Sequence, residues 1–273
     1  MRSVDVLGDG MNLKLNVNPR RLRWLAVGSV LSTLLALGAF PRAVGPRSDV
    51  APGNTAYDGR FTFVRLSYEM RFGGGGGFFG GDLPWAHDYP WAEQNLTKIL
   101  EDLSYLKVTR SPNGGNILPV GDPELHKFPF AYMSEPGYWT QTDAEAASVG
   151  SYLLKGGFLV FDDFRNEHWY NFETQLKRVL PDAKLVELDV THPIFHSFFD
   201  IKTLELDLMY DVPPTFWGVF EDNDPSRRLM VIANYDADLG EYWEFDGTGR
   251  WAVDVTNEAY KFGVNYIMYA MTH

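Results

Sequence analysis

The sequence predicts an α/β domain with a mostly parallel central sheet and helices on both faces, and three observations carry that expectation. Apolar runs of strand length alternate with segments of helical periodicity along residues 60–273. The run FLVF at 158–161 is apolar at every position, the pattern of a strand covered from both sides. No second linker interrupts the body, and with 45% apolar and 15% aromatic residues the 273-residue chain has ample material for one core.

FTFVRL (61–66), rich in β-branched and aromatic residues, predicts the first strand. A long loop, SYEMRFGGGGGFFGGDLPWAHDYP, follows it. Pro90 then suits the first turn of a helix over 91–106, with Leu96, Ile99, Leu100 and Leu103 on one face. Short strands are expected at LKVT (106–109) and FPFAYM (128–133). Thr142 and Glu145 have the spacing of a capping box, and Gly156 is placed to end the helix they begin. After FLVFD (158–162) come a helix over 168–180 stopped by Pro181, a strand at KLVEL (184–188) and a helical turn after Pro193. Strands at TFWGVF (215–220) and RLMVIANY (228–235) and a helix over 257–271 complete the series.

The N-terminus points to the cell envelope. Arg20, Arg21 and Arg23 end a basic segment (1–23) and precede an uncharged apolar run, Trp24 to Phe40, the layout of a signal peptide or a single transmembrane anchor. By the positive-inside rule the linker (41–59) and the body (60–273) are expected outside the cytoplasm, periplasmic or held at the inner membrane through 24–40 if that run is not cleaved. The first 56 residues carry seven of the 24 basic and three of the 36 acidic residues, so the remainder holds 16 negative charges in excess. A body that acidic excludes nucleic acid as a partner, because phosphate neutralisation needs a clustered basic face. The absence of cysteine removes disulfides, thiolate ligands and a thiol nucleophile.

In a parallel sheet with helices on both faces, ligands bind outside the carboxyl ends of the strands, which directs attention to Asp162 and Asp163 at the exit of FLVFD. Two carboxylates there suit a divalent cation or a shared proton, although strand alternation allows only one of them to face a given pocket. The alternative is a loop carboxylate that accepts backbone N–H groups or caps a helix. The glycine run 73–77 contains a formal G-x-G-x-x-G at Gly75, Gly77 and Gly80. Asp82-Leu83-Pro84-Trp85 follows it where a helix should receive the phosphates, so a mobile flap tipped by Phe78 and Phe79, or plain filler, fits better than a nucleotide loop. His87 stands beside Asp88, and His192 and His196 have i,i+4 spacing, but Pro193 makes His192 a helix-start residue in preference to a metal ligand. Trp85, Trp91, Trp139 and Trp243 recur in loops or at element starts, where aromatic rings line clefts or extend the core. G-x-S-x-G and P-loop patterns are absent.

Taken together, several segments resemble one family, the DUF4159 domain. They are FTFVRLSY, DLPW with its following D…P…N, DPELHKFPFAYMS, the D-x-E-A…YLLKGGFLVFDDF block, RVLPDAKLVEL with THPIF, DADLGEYWEF and KFGVNYIMYAMTH. The resemblance covers about residues 60–273. It implies a flavodoxin-like (Rossmann-like) fold similar to class I glutamine amidotransferase-like and trehalose-utilisation-like domains, and export signals in many members. It also implies gene neighbourhoods with MoxR-type ATPases and von Willebrand factor A proteins. Arg65, Asp162, Asp163, His192, Asp238 and Asn265 are its recurrent polar positions. Cysteine-dependent glutaminase chemistry is excluded here. The expectation is therefore non-catalytic binding of a small ligand or an envelope partner protein, with Arg65, Trp85, His87, Asp88, Asp238, Trp243 and Asn265 as ligand-binding candidates. The alternative is a hydrolase on envelope carbohydrate or peptide material using Asp162 or Asp163 with His192, with or without a metal. No cofactor and no metal ligand is assigned.

Overall fold

The computed structural model describes residues 53–70, 83–206 and 212–273. The apolar run 24–40 and the glycine run with its phenylalanines lie outside the described residues. In chain order the strands are β1 (Phe63–Ser67), β2 (Glu69–Met70), β3 (Gly115–Pro119), β4 (Phe130–Ser134), β5 (Trp139–Thr140), β6 (Phe158–Phe164), β7 (Val186–Glu187), β8 (Thr215–Phe220) and β9 (Leu229–Tyr235). The α-helices are α1 (Trp91–Leu103), α2 (Asp143–Leu154), α3 (His168–Val179), α4 (Leu239–Glu244) and α5 (Val253–Thr272).

Among the described residues seven strands form one sheet in the order β3-β1-β4-β6-β9-β8-β7. The pairings from β3 to β9 are parallel, and β8 and β7 close the sheet antiparallel. Numbered among themselves, the five parallel strands follow the order 2-1-3-4-5, in which chain order reverses between β1 and β4. The strands are apolar on both sides because both sides are covered. Phe63, Tyr132, Phe158, Val160 and Ile232 pack under α1, α4 and α5, while Val64, Met133, Leu159, Phe161 and Val231 pack under α2 and α3. β6 lies in the centre, and all seven of its residues are buried.

Local signals explain most elements. α2 starts with the expected capping box: Thr142 Oγ1 accepts from Glu145 N, and Glu145 Oε2 accepts from Thr142 N. LKVT contributes only an isolated bridge, Val108 to Phe61. The edge place belongs instead to β3, in NGGNILP, whose Gly, Asn and Pro carry little strand propensity and which forms through its register with β1. β3 is covered at its outer border by the last residues of the expected linker. Asn54 pairs through its side chain with both backbone groups of Ile117, at 2.9 and 2.6 Å, and Asn116 does the same for Thr55, at 2.9 Å each. Among the described residues no helix is long and apolar enough to cross a membrane.

Candidate functional site

The end of β6 departs from regular strand geometry. Its register with β9 shifts between Phe161 and Phe164, and Asp163 occupies the left-handed region at φ +57°. Alternation therefore does not run through the acidic pair. Asp162, fully buried, accepts at Oδ1 from Asn234 Nδ2 (2.9 Å) and at Oδ2 from Tyr132 Oη (2.9 Å), Leu239 N (2.9 Å) and Gly240 N (3.1 Å). It ties β4, β6, β9 and the start of α4 together. Burial pushes its carboxyl up to about 6, against the lowering pull of the Asn234 and Tyr132 hydrogen bonds.

Asp163 faces the segment 83–90 that leads into α1. His87 Nδ1 is 2.9 Å from Asp163 Oδ2 and 3.3 Å from Asp88 Oδ1. That loop is held from below by Arg65, a β1 residue only 1% exposed, which ion-pairs with Glu93 of α1 and donates from Nη1 to the carbonyls of Trp85 (3.0 Å) and His87 (2.9 Å). Burial works against the Arg65 charge, the Glu93 carboxylate outweighs it, and the guanidinium stays protonated. The His87 imidazole is raised to about 10, first by its hydrogen bond to Asp163, against desolvation and with the Asp88 charge adding to the rise. It remains partly open to solvent.

Asp88 is the unusual member. It is 4% exposed, adopts φ +65°, and neither of its carboxylate oxygens receives a hydrogen bond. Its Oδ2 lies against Gly240, so close that a Cβ there would stand 2.3 Å from it. Glu135, which follows β4 at φ +48°, is pushed up to about 8 by burial and by the Asp163 charge. Asp238, the N-cap of α4, is raised well above the usual carboxylate range by burial and by Asp163, Asp88 and Asp162. Glu241 and Glu244 on α4 are raised chiefly by burial. Two groups of carboxylate and imidazole atoms lie within 4.8 Å of one another, His87 with Asp88 and Asp163, and Asp88 with Glu241 and Glu244. Left-handed, non-glycine residues recur at this rim, at Asp88, Glu135, Asp163 and Asp236, as at sites where backbone strain is kept by the surrounding structure.

The structure thus brings His87, Asp88, Asp162, Asp163, Asp238 and Arg65 to one end of the sheet, beside the reversal point between β1 and β4. It does not bring His192 there. Its Nδ1 accepts from Ile194 N at 3.2 Å to start the 193–196 turn, and its ring lies 5.5 Å from Phe220 and 6.4 Å from Tyr269, near the amino end of β9. Asn265, fully buried on α5, accepts from the amides of Phe198 and Phe199 and donates to the Phe199 carbonyl, fixing that turn. Trp85 contributes its carbonyl to Arg65. Trp243, 1% exposed, packs 6.0 Å from the Tyr132 ring. Sequence reasoning passed over Glu135, Glu241 and Glu244. The first carries the same strand-exit signal as Asp162, since β4 is buried throughout; the other two sit on a helix of six residues, too short for periodicity to announce.

Comparison with curated proteins gives no significant match. The family model described as a domain of unknown function, DUF4159, matches residues 62–271, and the chain belongs to that family.

Proposed function

We propose that this domain binds a cationic ligand, without turnover, in the acidic cluster at the carboxyl rim of its sheet. The observation that carries the reading is Asp88: a buried carboxylate whose oxygens accept no hydrogen bond, whose ion pair with His87 Nδ1 at 3.3 Å is shared with Asp163, and which faces other carboxylates. Burying carboxylates together costs several kcal/mol, about 2–7 for a polar group and more for a charge, and the one imidazole of His87 is shared between Asp88 and Asp163, so the cluster calls for a further positive charge. His87, partly open to solvent, lies on the way in. His192, needed for the hydrolase alternative, is held at the other end of the sheet and adds nothing to the cluster. We place the domain outside the cytoplasm on the strength of the Arg20–Arg23 cluster and the apolar run behind it.

Thermal melting of the full-length protein against divalent metal ions and organic diamines tests the binding. At least one cation should raise Tm in the wild type and leave Asp88→Asn unmoved. Absence of any cation-dependent shift overturns the reading. A β-lactamase fused after His273 should confer ampicillin resistance, and a fusion that confers none overturns the placement.

A further inference from the structure

We infer that the cation is a single divalent transition-series metal ion held by His87, Asp88 and Asp163. This rests on the cation-binding reading above and narrows it. Three geometric facts carry it. First, once the arriving ion displaces the proton that His87 Nδ1 shares with Asp163 into solvent, the three side chains supply one imidazole and two carboxylates, a donor set that suits Mn2+, Fe2+ or Zn2+ better than Ca2+, which prefers oxygen alone. Second, the spacing is near that of a coordination polyhedron, all three ligand atoms lying within 4.8 Å of one another. Ligand atoms about 2.1 Å from one ion stand at most about 4.2 Å apart, and His87 Nδ1 lies 2.9 Å from Asp163 Oδ2 and 3.3 Å from Asp88 Oδ1. Third, Asp88 is buried and accepts no hydrogen bond at either oxygen, the 3.3 Å ion pair with His87 being its contact with the cluster.

The supports behind the three ligands agree with that role. Arg65 holds the carbonyl of His87 at 2.9 Å, which fixes the loop that presents the ring. The β6 bulge and the hydrogen bond from Asp163 N to Ala237 O (3.1 Å) fix the third ligand. The second group, Asp88 with Glu241 and Glu244, already has a protein cation, because Arg250 Nε stands 3.0 Å from Glu241 Oε1. One ion per chain is therefore the expected stoichiometry, and three protein ligands leave further coordination positions open. A bound oxyanion or carboxylate is the class of molecule such open positions accept.

The test uses full-length protein stripped with chelator and titrated calorimetrically with MnCl2 alone, followed by electron spin-echo spectroscopy of the Mn2+-loaded form. One Mn2+ per chain is expected, with a nitrogen modulation from the imidazole. Asp88→Asn should weaken binding by tenfold or more, and His87→Gln should remove the nitrogen modulation. The His87 variant alters a partly exposed loop residue and serves if the Asp88 variant fails to fold. Saturable binding that keeps its affinity in Asp88→Asn, or a nitrogen signal that persists in His87→Gln, overturns the metal centre. If Mn2+ and Zn2+ both fail while putrescine raises Tm in an Asp88-dependent way, the metal centre falls and the cation-binding reading stands. If none binds, both fall.

Discussion

At the scale of single residues, Asp162 and Asp163 divide the labour that their adjacency first suggested they share. Asp162 is a strut: four donors converge on it, two of them backbone amides of α4. Asp162→Ala leaves all four buried and unpaired, and a loss of at least about 3 kcal/mol is expected in urea unfolding. Asparagine rescues this only in part, because its NH2 must face either the α4 amides or the Asn234 amide, whose own oxygen is already occupied by Tyr266 Oη. Glu135 supplies a pH dependence. Its ordinary value is 4.5 and its folded value about 8, so the folded chain keeps a proton that the unfolded chain releases. The stability it contributes is full below pH 4.5 and lost as pH climbs, the loss being complete once 8 is passed. Glu135→Gln should therefore flatten the fall of Tm between about pH 5 and 8, measured by thermal unfolding in a constant-ionic-strength buffer series. The strand-exit rule made Asp162 and Asp163 legible in the sequence, and the neighbouring His87 and Asp88 could be named. Which of the four would meet could not be read, because the meeting depends on a bulge and on left-handed backbone at Asp88 and Asp163 that side-chain types alone do not announce.

At the scale of elements, α4 shows how a short helix escapes sequence reasoning yet controls the site. Its six residues give no helical period, and it is fixed from below by Asp162 and at its cap by Asp238, whose Oδ1 accepts from Glu241 N at 2.9 Å. Gly240 lets Asp88 lie flat against it. An alanine there would place its Cβ 2.3 Å from Asp88 Oδ2 and 3.0 Å from Tyr132 Oη. Gly240→Ala should cost about 1–3 kcal/mol and abolish any cation-dependent rise in Tm, whereas Gly53→Ala, in open space, should keep that rise. The longer elements were legible for reasons that the structure repeats. The capping box begins α2, Gly156 lies just beyond it at φ +109°, and FLVF is buried between two helical layers. β3 was not legible because its pairing, and not its composition, makes it a strand.

At the scale of the molecule, the body carries its negative excess and gathers buried carboxylates where the chain order of the sheet reverses, the place at which two crossovers part and leave room. Helices on both faces leave that rim as the place where loops from β1, β4, β6 and β9 converge, which is why residues as distant as His87 and Glu244 share one neighbourhood. The alternation of strands and helices gave this layout in outline, while the antiparallel closure by β8 and β7 came from hairpin-like pairing that no spacing rule identified.

The packing of Trp243 against Tyr132 has an optical corollary. Tyr132 hands its hydroxyl proton towards Asp162, so an indole sits one ring away from the charged cluster with its fluorescence exposed to every change of field there. Cation arrival should alter the emission of this protein without any added dye, and Trp243→Phe should diminish the response, leaving the share of Trp85 beside His87, with calorimetric binding in place. On the proposed binding, the domain carries a built-in gauge of its own occupancy.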